Sequence, residues 1–285
     1  MGHLRDRMEA DLKLGGYSPS TQKIYLLYAK LFAKYHMRSP ERMGEQEIRH
    51  YLLHMVEEKR ISRETYRQIR AALIFLYSVT LKRPIEVEHL PVRRKKVALP
   101  VVLSGTEVQR VLDAVDSPKY RAIVMTLYAG GLRISEACRL RPEDIDSKRM
   151  VVHVRAGKGG RDRYTVLSER LLGHLRDYYR DQRPDGWLFP GRGAKGHASP
   201  ETCRRVFRRA VATAGIAKKV TPHALRHCFA THLLESGTDI SVVQALLGHG
   251  SLRATEVYTH ISVEHIGRVT SPLDLLGTAA ANPLG

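Results

Sequence analysis

TPHALRHCFATHLLESGTDISVVQALLGHGSLRATEVYTH, residues 221–260, holds an H-x-x-R pair (His223, Arg226), a Gly-His step (Gly248, His249) and a lone tyrosine (Tyr258). Thr221 is a capping residue type and Pro222 suits the first helical position, where its missing N–H costs nothing, so a helix opens here. His223 and Arg226 then lie three residues apart on one face of its first turn. That turn also carries unpaired backbone N–H groups and the positive end of the macrodipole, which suits an anion held by the Arg226 fork. TDISVVQALLGHG predicts a second helix, capped at Thr238 or Asp239, with Val242, Ala245 and Leu246 at helical spacing and Gly248 as its stop. His249 therefore leaves on a loop, and a third short helix from Ser251 delivers Tyr258 after about two turns. Singly each residue has a plainer use: a histidine as a cap, an arginine as a solvated charge, a tyrosine beside Val257 and Ile261 as core. Their combination, with partners upstream, points to chemistry.

The first upstream partner is Ala129–Ala137, AGGLRISEA. Two glycines allow a sharp turn, and Arg133 and Glu136 share a face of the helix that follows. A carboxylate one turn on orients the guanidinium for anion binding; an ordinary surface ion pair has the same spacing. The second partner is the one clear β element, in which Met150–Arg155 alternates, Gly157-Lys158-Gly159-Gly160 turns and Tyr164–Leu167 returns. Lys158 at the tip is either a solvated turn residue or a mobile proton donor reaching into a cleft. A helix at Glu169–Arg180, a loop closed by Trp187–Pro190 and an arginine-rich helix at Pro200–Gly215 lead back to the opening stretch.

Lys and Arg number 47 against 29 Asp and Glu, a formal charge of +18 on 285 residues, while 43% of residues are hydrophobic. The chain is long enough for one large or two ordinary domains with real cores. The positive excess opposes compaction unless a polyanion compensates it, and a phosphate backbone fits best, with an acidic membrane surface as the rival. No stretch is long enough to cross a bilayer, and Met1–Asp11 lacks an apolar signal core. The cysteines (Cys138, Cys203, Cys228) are odd in number and lack metal-ligand spacing, so reduced thiols, no structural zinc and a cytoplasmic, nucleoid-associated location are expected. Cys228 follows His227 directly, and adjacent helical positions point apart, which argues against a Cys/His catalytic pair.

The first ninety residues predict four helices. Leu4–Leu14 ends at Gly15-Gly16, and Ser18-Pro19 opens a helix with Ile24, Tyr28, Leu31 and Tyr35 inward. Gln46–Glu58 turns Ile48, Tyr51, Leu52, Met55 and Val56 inward, and a helix from Ser62 carries Tyr66, Ile69, Leu73 and Leu76. Their polar faces bear Lys23, Lys30, Lys34, Arg49, Arg63, Arg67 and Arg70, suited to phosphate contact or simply to solvent. Between Pro91 and Pro100 the cations Arg93, Arg94, Lys95 and Lys96 cannot enter a core and read as a linker following DNA backbone. The expected division is a helical DNA-binding domain at 1–90, a basic linker at 91–100 and a catalytic domain at 101–285, where Ser104 and Tyr120–Ala129 begin further helices.

No P-loop, no dinucleotide fingerprint and no paired acidic motif for metal-ion catalysis occurs. Arg133, Lys158, His223, Arg226 and His249 instead form a cationic set around one nucleophile, Tyr258. Attack on a phosphodiester adds negative charge to the non-bridging oxygens, and two guanidinium forks can stabilise it. A phenol with a pKa of about 10 needs a base or a cationic surrounding to attack. His223 can accept its proton, Lys158 can protonate the departing 5′-oxygen, and His249 can hydrogen-bond the phosphate. Bond energy kept in a phosphotyrosine link requires neither ATP nor another cofactor.

From about Leu12 to Ile266 the chain resembles the tyrosine recombinase family, of the phage-integrase and Xer type, in AGGLRISEA, VRAGKGGRDR, TPHALRHCFATHLLESG and VVQALLGHGSLRATEVYTH. The resemblance implies a mainly α protein: a four-helix, SAM-like core-binding domain and a mixed α/β catalytic domain with a small antiparallel sheet. It implies activating roles for Arg133, Lys158, His223, Arg226 and His249, supported by Glu136, and the nucleophile's role for Tyr258. It also implies a clamp on duplex DNA carrying specific recombination sites, a homotetramer or a hetero-tetramer with a second recombinase, a 3′-phosphotyrosine and a Holliday junction, with no metal and no membrane. By the same resemblance the segment beyond Tyr258 packs into a neighbouring protomer through Leu273, Leu275 and Leu276; the alternative is that it folds back on its own chain. Val269–Leu276 is similar to the tail of integron integrases, yet the segment from Lys158 to His223 is too short for their extra helix. An integron-type integrase and a type IB topoisomerase are the alternatives.

Overall fold

Serine hydroxyls open four of the helices. Ser18 accepts from the backbone N–H of Thr21 at 3.3 Å, Ser62 from Thr65 at 3.1 Å, Ser104 from Glu107 at 3.2 Å and Ser168 from Leu171 at 3.1 Å. Each satisfies a donor that the first helical turn leaves without a partner. The structure is a computed structural model that describes residues 2–84, 89–91, 101–155, 162–191, 196–248, 266 and 269–276. The chain divides into two compact units, Met1–Ala98 and Leu99–Gly285.

The first unit contains α1 (Gly2–Leu14), α2 (Pro19–His36), α3 (Glu45–Glu57) and α4 (Arg63–Phe75), the last continuing as a wider turn through Thr80. Leu12, Phe32, Ile48, Ile69, Leu73 and Tyr77 are its fully buried centre. α3 and α4 bury the residues expected from their spacing. α2 is turned from the expected face: Leu31 is 38% exposed while Ala29, Phe32 and Ala33 are buried. The helix carries apolar residues on more than one side, and the large ring of Phe32 packs edge-on to Tyr51 and Tyr77, which sets the rotation. Arg70, expected among the phosphate-facing cations, donates instead to the carbonyl of Leu90 at 3.1 and 3.0 Å, and the Tyr66 hydroxyl donates to Pro91 O at 2.8 Å.

The second unit is built around α6 (Pro118–Ala129), whose residues from Ala122 to Ala129 are all buried. Packed on it are α5 (Gly105–Asp113), α7 (Ile134–Cys138), α8 (Glu169–Gln182), α9 (Pro200–Thr213) and α10 (Pro222–Glu235). α11 (Ile240–Leu247) packs on α10. The sheet has three antiparallel strands, β1 (Ile145–Asp146), β2 (Val151–Val154) and β3 (Arg163–Val166), in that order. The expected hairpin is present with Val152 opposite Thr165, and the two-residue β1 is an addition too short to show a period in the sequence.

The segment 269–276 lies against its own unit, where the resemblance implied a neighbouring protomer. Leu273 is fully buried, Ser271 Oγ donates to Ala129 O at 2.8 Å, and Leu275, expected to be buried, is 40% exposed. Asp274 accepts from Ser168 Oγ at 2.5 Å and from the backbone N–H groups of Glu169 and Arg170 at 3.2 and 3.0 Å, placing a carboxylate on the N-terminus of α8. No helix among the described residues is long and apolar enough to cross a membrane.

Candidate active site

The turn before α7 begins the site. Gly131 has φ +61°, and a Cβ there would lie 2.5 and 2.8 Å from two ring carbons of Phe229, so glycine is required both by conformation and by space. The turn places Arg133 at the cap position of α7. Glu136, one turn on, accepts from the Arg133 backbone N–H at 2.8 Å and from its guanidinium at 2.7 Å. The pair is therefore a built element of the unit, with the Glu136 side chain only 7% exposed.

A residue that sequence reasoning missed completes this arrangement. Arg163, the first residue of β3, donates to both Glu136 oxygens, at 3.1 and 2.7 Å, and through Nε to Leu246 O at 3.1 Å. Burial alone would raise the Glu136 carboxyl; the hydrogen bonds and charges of Arg163, then of Arg133, hold it down to about 2. Arg163 stands opposite Val154, a buried residue, and an arginine on the buried face of a hairpin calls for a carboxylate partner. That register was the available signal.

α10 supplies the other two described members. Thr221 occupies the cap position without its hydroxyl capping the helix, and Pro222 is at N1. His223 is exposed and stands edge-on to His227 at 4.8 Å between ring centroids. Partial burial, followed by the charges of His227, Arg226 and Arg133, lowers its pKa from 6.5, which favours the neutral ring. Arg226 is buried, donating to Gly131 O and to Leu247 O, both at 2.5 Å. Burial first, then the like charges of Arg133 and Arg163, pull it down to about 10, and it stays protonated at neutral pH. One guanidinium thus ties the turn before α7 to the end of α11. Gly248 caps that end in the left-handed conformation at φ 62°, as its position predicted.

A cavity of about 430 Å³ opens beside these residues, lined by Arg133 and Ser135 from α7, Arg204 and Arg208 from α9, and Thr221 and His223 from α10. Its polar groups are predominantly cationic, the character an oxyanion needs. Cys138 of α7 and Cys203 of α9 are buried, with sulfurs 3.5 Å apart. Cys228 is buried and accepts from the Leu103 N–H at 3.2 Å, away from the exposed His227, in keeping with the rejection of a Cys/His pair. Lys158, His249 and Tyr258 lie outside the described residues, as do Arg93, Arg94, Lys95 and Lys96. The structure therefore brings together Arg133, Glu136, His223 and Arg226 from the expected set and adds Arg163.

An all-helical N-terminal unit followed by a mainly α unit with a small sheet and a cationic cleft suits an enzyme that acts on a polyanion, and the comparisons give its family. Residues 102–265 match the phage integrase family, and residues 4–87 match the phage integrase N-terminal SAM-like domain. The Sinorhizobium fredii protein y4qK is 43% identical over 284 residues, 99% of this chain and 92% of that one. Tyrosine recombinase XerA of Thermococcus onnurineus is 33% identical over 280 residues, 95% of each chain. A lambda integrase tetramer bound to a Holliday junction has a similar fold, with a TM-score of 0.71 at 19% identity over 88% of this chain and 77% of that one. The chain belongs to the phage integrase family of tyrosine recombinases and is a site-specific DNA recombinase.

Proposed function

We propose that this recombinase cuts and rejoins duplex DNA through a covalent 3′-phosphotyrosine at Tyr258 and a Holliday junction, without metal or ATP. The observation that carries the reading is the placement of Arg133 and His223 on one cationic cleft, with the buried Arg226 guanidinium bonded to the Gly131 carbonyl in the turn before α7. Arg133 and Arg226 hold the non-bridging oxygens of the scissile phosphate, where negative charge grows in the transition state. The Tyr258 oxygen bonds to phosphorus as the bond to the 5′-oxygen breaks. The phenol proton passes to His223, and the leaving oxygen takes a proton from Lys158. His249 donates to the phosphate. The reverse sequence, with the 5′-hydroxyl of a second duplex as nucleophile, reseals the strand in a new partner.

Four protomers on two sites, identical or paired with a second recombinase, fit this exchange, and the lambda integrase tetramer on a Holliday junction supports it. We read 91–100 as a linker between a core-binding domain at 1–90 and a catalytic domain at 101–285, with Arg93, Arg94, Lys95 and Lys96 along the DNA backbone. The segment 269–276 is seated on its own unit, so its exchange between protomers requires it to leave the contacts made by Ser271 and Asp274. Such an enzyme works in the cytoplasm, on the nucleoid.

Tyr258→Phe tests the nucleophile: it should bind DNA and form no covalent DNA–protein product in cells, and persistence of that product refutes the assignment. Lys158→Ala should slow cleavage of normal DNA and spare a substrate whose 5′-oxygen is sulfur. Equal loss on both removes Lys158 from the acid role. Two marked duplexes that exchange strands separate this reading from a type IB topoisomerase, which reseals the strand it cut. Sequencing the DNA trapped on the wild-type protein in its host identifies the site, and a folded single-stranded site among those products would favour an integron-type integrase.

A further inference from the structure

Arg163 is used by none of the steps above, yet it touches three parts of the site at once. It begins the strand that follows Lys158 by five positions, grips both oxygens of Glu136, and holds the carbonyl of Leu246 at the end of α11, two residues before Gly248 and three before His249. Its stem packs on the cap of α11: a Cβ on Gly248 would lie 2.6 Å from Arg163 Cδ. Its side chain is 10% exposed and Glu136's is 7% exposed, so the contact is not a solvated surface pair.

Counting charge gives the fork its purpose. Glu136 paired with Arg133 alone is a neutral couple, whose positive half faces the carboxylate as much as any incoming phosphate. Glu136 shared between Arg133 and Arg163 leaves the trio at +1, with each carboxylate oxygen accepting from both residues. We propose that Arg163 is a positioning residue for strand cleavage, holding Glu136 and the end of α11 so that Arg133 keeps its charge toward the phosphate. Arg163 acts through Arg133 and the α11 turn and makes no contact with the DNA itself. The inference rests on the function proposed above.

The test is single-turnover cleavage of a nicked duplex bearing the site recovered by trapping, with the full chain. Arg163→Met keeps the stem and removes the fork. It should lower the cleavage rate by about ten- to a hundredfold while the dissociation constant for the duplex stays within about threefold. Adding Glu136→Gln removes the stranded carboxylate, so the double variant should cleave at least about threefold faster than Arg163→Met alone, a gain that a purely structural role does not predict. Should Arg163→Met fail to fold by circular dichroism, Arg163→Lys, which keeps stem and charge without the fork, takes its place and should be slower than wild type. Cleavage by either single variant within about twofold of wild type overturns the inference, as does a double variant slower than Arg163→Met. A wild-type protein that forms no covalent product overturns the proposed function and this inference with it, whereas Tyr258→Phe inactive beside an active Arg163→Met overturns this inference alone.

Discussion

Glu136→Gln gives the sharpest test of the electrostatics of the site. The carboxyl's ordinary value is 4.5 and its folded value about 2. At about 1.4 kcal/mol per pKa unit, that difference is worth roughly 3 kcal/mol of folding stability, and with a side chain 7% exposed little of it is lost to solvent screening. The sign follows from the lowered folded value: the contribution is complete above 4.5 and disappears as pH falls toward 2. At pH 3.5 the unfolded carboxyl is largely protonated and the folded one is not, so about 1.4 kcal/mol has already gone. Gln is close in size but neutral, and its amide group presents donors to two guanidiniums. The single tryptophan, Trp187, lies in the same unit, with the Arg141 guanidinium 5.0 Å from its ring centroid, and its fluorescence reports unfolding of that unit in urea. Wild type should exceed Glu136→Gln by about 3 kcal/mol at pH 7 and by about 2 kcal/mol at pH 3.5. A gap under about 1 kcal/mol at pH 7, or one that stays constant across this range, refutes the reasoning.

The His223 ring should titrate below 6.5 by NMR and move upward in Arg133→Ala; because the folded form binds the proton less readily, its contribution to stability falls as pH drops below 6.5, and a midpoint at or above 6.5 contradicts the placement. Gly131→Ala combines a positive φ with a clash on Phe229 and should cost about 2–4 kcal/mol in the Trp187 urea transition, and a loss below about 1 kcal/mol argues against the turn. Asp274→Ala removes the carboxylate from the N-terminus of α8 and should cost about 1–2 kcal/mol, whereas an unchanged transition means the tail does not dock there. Thiol reagent should label native Cys138, Cys203 and Cys228 slowly and the unfolded chain fast; rapid labelling in the native state contradicts their burial.

Helix starts and stops were legible because they depend on local chemistry: Ser18, Ser62, Ser104 and Asp239 cap, and Gly248 stops α11, where the sequence places them. Arg133, Glu136, His223 and Arg226 were legible for a related reason, since each pair lies within one helical turn. Arg163 was not, because its partners lie 27 and 83 residues away and no period marks them. The rotation of α2 escaped for the opposite cause: too many apolar residues gave two acceptable faces, and only the packing of Phe32 on Tyr51 chose between them. Leu275 failed similarly, as a short segment without regular structure has no period to say which leucine points inward.

Arg226 bonds to the carbonyls of Gly131 and Leu247 before any DNA arrives, so it belongs to the scaffold as much as to the chemistry. Any replacement there unfastens the turn before α7 from the end of α11, so a lost rate cannot be read as the loss of a phosphate contact alone. His223 reaches the cleft from an exposed position, so substitution there disturbs the scaffold least, whereas Arg133 is also bonded to Glu136. A comparison across all three separates what the enzyme does from what holds it in shape to do it.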